Sequence, residues 1–290
     1  MAYGFNIAAL PAYTDQLSNE IIAKSVLTTD LLSYLDLRTG YTSGTVSINL
    51  VDAALPVSAL SCGWTSDGEI TYTQVNVTIE SLQSKTEVCP EDLRSVYQSA
   101  FMSAGTGNDA VPFEEIISNQ YAEKLTKYNE GFLINGFGAT LGLKGQITAA
   151  AGATVPAGAV AWTLANAVDQ ALDLYDAIAE SVKDRDDLIM VVSPANYRTL
   201  LRALVAANLY NYMSVDGNEI LMLPGTNCTI VKSSGLVGSD YVFAGPGLQD
   251  ELDNFVFFYD QGQDVMKFRA AWRLGVGVGQ VNLFATNDLA

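Results

Sequence analysis

The sequence predicts an α+β fold, and three observations carry that prediction. Residues 45–50 and 71–79 alternate apolar and polar side chains with period two, as half-buried strands do. From Pro112 to about Asn135 the apolar residues repeat at helical spacing instead. The continuous apolar run at 188–192 runs straight into Ser193-Pro194, a strand-to-helix entry, and strand-like patterning fills the last third.

Taken in order, residues 1–40 read as an arm. Leu17, Ile21 and Ile22 predict a short helix over 15–25, and Leu31, Leu32 and Leu35 predict another over 30–37. The arm has too few apolar residues to build a core of its own. Residues 41–82 read as a long two-stranded excursion, with a turn-rich middle at 61–70 and Asp67-Gly68 as its hairpin signal. A lone hairpin is marginal in water. It lies either on a neighbouring molecule or on its own domain, and the pattern does not choose. Trp64 in its middle reads as a contact anchor, since aromatics are favoured at interfaces, whereas Trp162 and Trp272 read as core.

Pro90, Glu91 and Asp92 open a helix, and a polar break follows at 105–108. The long helix comes next, opened by Pro112, Glu114 and Glu115 and stopped by Gly136. Phe113, Ile116, Ile117, Tyr121, Leu125, Tyr128 and Phe132 form its stripe. Residues 136–158 are loop-like, and 164–182 are helical. The strand 188–192, the Ser193 cap and a helix over about 195–208 follow. Short strands are expected at 220–223 and 229–232, and longer ones at 241–244, 255–259, 265–271 and 276–284.

Composition excludes several classes. The 290 residues carry 32 acids and 15 bases, a net charge of −17, opposite to what a generic nucleic-acid binder needs. With no histidine there is no His-based triad, no His-containing zinc site and no imidazole relay. Three cysteines, Cys62, Cys89 and Cys228, are too few and odd for a disulfide framework, so they read as small buried hydrophobes in a reducing compartment. Met1 and the residues after it lack the basic and apolar regions of a secretory signal. The charge-free run between Lys144 and Asp169 is Ala-, Gly- and Thr-rich and holds Pro156, which makes a poor membrane span.

No catalytic constellation survives. Gly275, Gly277 and Gly279 lack the spacing of a dinucleotide loop and read as a twisted or bulged strand. There is no Walker-type loop. The acids Asp184, Asp186 and Asp187, like Asp250, Glu251 and Asp253, read as solvated faces rather than cation ligands. A cysteine nucleophile has no histidine to serve it. No catalytic, cofactor-binding or metal-binding residue is expected.

The order of parts resembles the major capsid protein of tailed bacteriophages, the Hong Kong 97 fold. Two stretches carry the likeness. Leu188-Ile189-Met190-Val191-Val192-Ser193-Pro194-Ala195-Asn196-Tyr197 is similar to the strand and helix entry of that family's axial domain. Lys267-Phe268-Arg269-Ala270-Ala271-Trp272-Arg273-Leu274-Gly275-Val276-Gly277-Val278-Gly279-Gln280-Val281-Asn282 is similar to its last strands, beside the spine helix. The resemblance implies an N-terminal arm at 1–40, an extended β-hairpin loop at 41–85, a peripheral domain with the spine helix at 86–163 and 250–290, and an axial domain at 164–249. It implies no enzyme activity and no cofactor. It implies a shell subunit that partners itself in hexamers and pentamers of an icosahedral virion head. That head is assembled in the bacterial cytoplasm with portal and scaffolding proteins, and encloses double-stranded DNA without sequence-specific binding or a membrane. The contact candidates are then Trp64, Asp67, Glu69 and Tyr72 on the hairpin, and Asp216 and Glu219 in the ring-building segment. An inner surface at −17 would repel packaged DNA.

Two other readings stand beside this one. An encapsulin-type nanocompartment shares the fold but holds enzyme cargo. A cytosolic α/β enzyme would share the strand–Ser-Pro–helix turn but would elute as a small oligomer. Some relatives cross-link a hairpin lysine to a neighbour's asparagine; residues 41–84 contain no lysine, so no such cross-link is expected.

Overall fold

The computed structural model describes residues 31, 34–40, 44–53, 70–85, 113–209, 211, 222–247, 255–262 and 269–288. Strands β1 (Asp36–Thr39), β2 (Gly44–Ala53) and β3 (Ile70–Lys85) come first, then helix α1 (Phe113–Asn135). A small hairpin, β4 (Gly136–Phe137) and β5 (Thr140–Leu141), leads to the single turn α2 (Leu143–Gln146) and to α3 (Ala167–Asp176). Then come β6 (Leu188–Val192), α4 (Pro194–Ala206), β7 (Thr229–Lys232), β8 (Phe243–Pro246), β9 (Phe255–Gly262), β10 (Arg269–Val278) and β11 (Ala285–Thr286).

One sheet has the order β1-β9-β10-β3-β2. Its pivotal strand is β3, which changes partner along its length. Residues 70–79 pair antiparallel with β2, and residues 80–85 pair antiparallel with β10. The other sheet has the order β11-β8-β6-β7. Its middle strand β6 is buried at every position, as a strand covered on both faces must be. β6 and β7 are parallel, so a crossover must join them, and α4 belongs to it. Ser193 starts that helix as its sequence predicts: its hydroxyl accepts from the Asn196 N–H at 3.2 Å, with Pro194 in the first turn.

Helix α1 spans 23 residues, roughly 35 Å. Ala122, Leu125, Asn129, Phe132 and Leu133 make its buried face, with Ile134 enclosed as well. The expected stripe holds at Leu125 and Phe132. Tyr128 is instead 42% exposed, since 3.6 residues per turn puts it at the edge of that face, edge-on to the Trp272 ring at 6.1 Å. The side chains of Phe113, Ile116, Ile117 and Tyr121 lie outside the described residues. Gly136 ends the helix in the left-handed region, at φ 75°, where a Cβ would fall 2.1 Å from the Thr140 carbonyl oxygen.

Several boundaries differ from the expectations. Leu31 and Leu35 are core residues, yet Asp36–Thr39 is a strand, because β9 offers it a parallel partner. The helix expected over 164–182 is α3 plus a separate 3-10 turn at Glu180–Val182. Lys183 holds that break: its ammonium donates to the Asp176 carbonyl at 2.9 Å and to Glu180 at 2.6 Å, a cation at a helix C-terminus. The two strands expected over 265–271 and 276–284 are the continuous β10, then a 3-10 turn at Val281–Leu283 and β11. Met222 and Leu223 lie in no strand. The expected helices over 15–25 and after Pro90 lie outside the described residues. Among the described residues no helix is long and apolar enough to cross a membrane.

Both sheets and α1 to α4 share one core, in which Trp162 and Trp272 are buried as expected. A small separate cluster of Ile48, Val77 and Ile79 sits under the β2–β3 ribbon.

Candidate functional site

The ribbon of β2 and β3 has two unlike faces. One carries the pairs Val46 with Val77 and Ile48 with Val75, and buries Ile48, Val77 and Ile79. This face closes over β10 at Gly275 and Gly277. A Cβ on Gly277 would lie 2.2 Å from Val77 Cγ2 and 3.1 Å from Ile48 Cδ1, and one on Gly275 3.0 Å from Ile79 Cγ1. These two glycines therefore sit in a strand, as their spacing implied, and they let the ribbon approach it closely.

The opposite face changes character along its length. Near the body it is polar, with Ser47 donating to Asn76 at 2.8 Å and Gln74 to Asn49 at 3.0 Å. Further out it is apolar and open. Tyr72 faces Val51 across the ladder, and Ile70 follows on β3; they are 77%, 55% and 57% exposed. Tyr72 was among the expected contact residues. Val51 and Ile70 were not among them, although the Leu50-Val51 and Ile70-Thr71-Tyr72 steps, where the apolar residues change face, mark this exposed apolar patch. Trp64, Asp67, Glu69, Asp216 and Glu219 lie outside the described residues.

A second element fastens α1 to the body of the fold. Glu130 on α1 is buried; Oε1 accepts from the Ser233 hydroxyl and the Ser234 N–H, each at 2.8 Å, and Oε2 from the Ser234 hydroxyl. This carboxylate clips the long helix to the end of β7. Local spacing gives no hint of it, since the serines are over a hundred residues away.

Several polar groups elsewhere hold loops and turns together. A cavity of about 570 Å³ is lined by Tyr175, Lys183, Asp184, Met222 and Asn227 among others. There Tyr175 donates to Asn227 at 2.9 Å, and Asn227 donates to the Lys183 carbonyl at 3.0 Å. Arg185 grips Asp187 through two contacts of 2.8 and 2.7 Å. No group of three metal-ligating side chains collects among the described residues. Asp250, Glu251 and Asp253 lie outside them. Burial pushes the Cys228 thiol up to about 12, so it stays protonated and unreactive at neutral pH. Cys62 and Cys89 lie outside the described residues.

No family model matches the sequence, and no curated protein does. Solved structures do. The capsid of an empty GTA particle superposes with a TM-score of 0.55 at 14% identity, covering 89% of each chain. The chain has the fold of tailed-phage major capsid proteins. A Gordonia phage Cozz chain agrees at TM-score 0.52 and 13% identity, over 89% of this chain and 85% of that one. A virus-like particle from Pyrococcus furiosus gives 0.52 at 11% identity, covering 93% and 97%.

Proposed function

We propose that this chain is a shell subunit, the major capsid protein of a tailed double-stranded DNA phage. It assembles into pentamers and hexamers of an icosahedral head in the host cytoplasm, with portal and scaffolding proteins as partners. The observation that carries the reading is the open apolar end of the ribbon, Val51, Ile70 and Tyr72, which a single copy leaves in water. A neighbouring subunit would cover it. In this reading α1 is the spine, its sheet with β3, β9 and β10 is peripheral, the sheet around β6 is axial, and the chain is not an enzyme. A second reading keeps the shell role without the genome: a nanocompartment shell of the same fold, which the likeness to a virus-like particle leaves open.

Negative-stain microscopy of the expressed chain tests the proposal. Closed particles or capsomer rings are expected, and the pair V51S/Y72S should reduce them at least about tenfold without lowering the melting temperature, since both side chains are exposed. Small soluble species at every concentration would refute a shell role. Particles purified from an infected host with protein cargo and no nucleic acid would favour the nanocompartment.

A further inference from the structure

Helix α4 presents an unpartnered basic face. Arg198 and Arg202, one turn apart, are both exposed, and neither makes an ion pair or hydrogen bond among the described residues. Val205, 40% exposed, continues the same face. By contrast, Arg38, Lys127, Lys183 and Arg185 are each matched to a carboxylate. The neighbouring helix α3 has the opposite character. Asp169, Asp173 and Asp176 are exposed at i, i+4 and i+7, with Glu180 following.

The two helices touch, yet no ion pair joins them among the described residues. α3 contacts β8 and β11, whereas α4 lies in the connection from β6 to β7, so each sign sits on its own helix. Used head to tail, one copy's basic helix fits the next copy's acidic helix. That is a heterologous contact, which generates a ring when its rotation closes. Arginine suits the role because its planar fork takes carboxylates two bonds at a time.

Resting on the shell reading above, we propose that the α4 face of Arg198 and Arg202 docks on the Asp169, Asp173 and Asp176 face of α3 in a second copy, head to tail. This repeated contact closes the rings of the shell. With each subunit at −17, copies repel on average, and a local patch of opposite sign sets the register in which they can approach. Nucleic acid is a poorer occupant, because the α3 carboxylates beside the two arginines repel phosphate.

The test is charge reversal and restoration in the full chain, read by sedimentation velocity and microscopy, with circular dichroism melting to confirm folding. R198E/R202E should lower the assembled fraction at least about tenfold, and D169R/D173R should do the same. Combining all four should recover assembly to within about threefold of wild type. The neutral pair R198Q/R202Q, made of good helix formers, should fall between wild type and the reversal. Assembly of R198E/R202E within about twofold of wild type overturns the inference while leaving the shell reading intact. So does a four-fold variant no better than its parents. Particles that form normally but lose bound nucleic acid would reassign the patch and overturn it too. Absence of wild-type particles would sink both readings.

Discussion

Replacing Gly277 by alanine should lift the ribbon off β10. The new Cβ would stand 2.2 Å from Val77 Cγ2, closer than real Cβ atoms come, and 3.1 Å from Ile48 Cδ1. Val77 cannot swing away easily: it is β-branched, only 3% exposed, and paired across the ladder with Val46. Overpacking of this kind costs about 1–3 kcal/mol. For a chain of this size that lowers the melting temperature by roughly 2–4 °C per kcal/mol, so a fall of about 2–12 °C is expected. Val77→Ala removes the obstructing methyl, at a cost of its own. In the double variant G277A/V77A the two losses should not add; a coupling of about 0.5–3 kcal/mol is expected in urea unfolding of the four proteins followed by circular dichroism. Wild-type melting of G277A, or strict additivity in the double variant, would refute the packing of ribbon on glycine.

Glu130→Gln should cost about 1.5–3 kcal/mol in urea unfolding, because the buried carboxylate accepts three hydrogen bonds and an amide group offers only one accepting oxygen; an unchanged midpoint would show that the clip is idle. Cys228 should resist iodoacetamide in the folded chain and react in urea, read by peptide mass spectrometry. Its folded value, raised to about 12, also means that its contribution to stability is full below the unfolded thiol value near 8.5 and is lost as pH rises through the folded one. Wild type should therefore lose stability relative to C228A by up to about 1.4 kcal/mol per pH unit in that window, and parallel pH profiles would refute the assignment. Particles boiled in SDS should run as a single band near 31.0 kDa: the sequence has no lysine over 41–84, and Asn287 is 3% exposed with its amide bonded to Val242 N–H and the Asp240 carbonyl. A covalent ladder under reducing conditions would contradict this.

Local chemistry was readable where one residue type dictates one backbone state. Ser193-Pro194, Gly136 and the alternation over 45–50 each led to the element observed, because capping, left-handed φ and period-two burial act within a few residues. What the sequence hid was partnership over long distance. Asp36 and Leu37 fell within the helix expected over 30–37, because the strand Asp36–Thr39 depends on β9, more than two hundred residues away. Nothing local marks Glu130 as buried, because its serines arrive from the end of β7. Tyr72 was picked out by residue type alone, and it is exposed. Its neighbour Val51 needed the register of β2 on β3, which no local pattern fixes.

The change of partner along β3 has a mechanical consequence. Its 16 residues, roughly 53 Å when extended, form one continuous strand from the outer end of the described ribbon into the body, passing from β2 to β10 without a break. A pull on Tyr72 along the strand therefore loads the six residue pairs from Glu80 to Lys85 together, in shear, instead of peeling them one at a time. Tension arriving at the tip is delivered to the middle of a five-stranded sheet, and it meets that sheet in its stiffest direction.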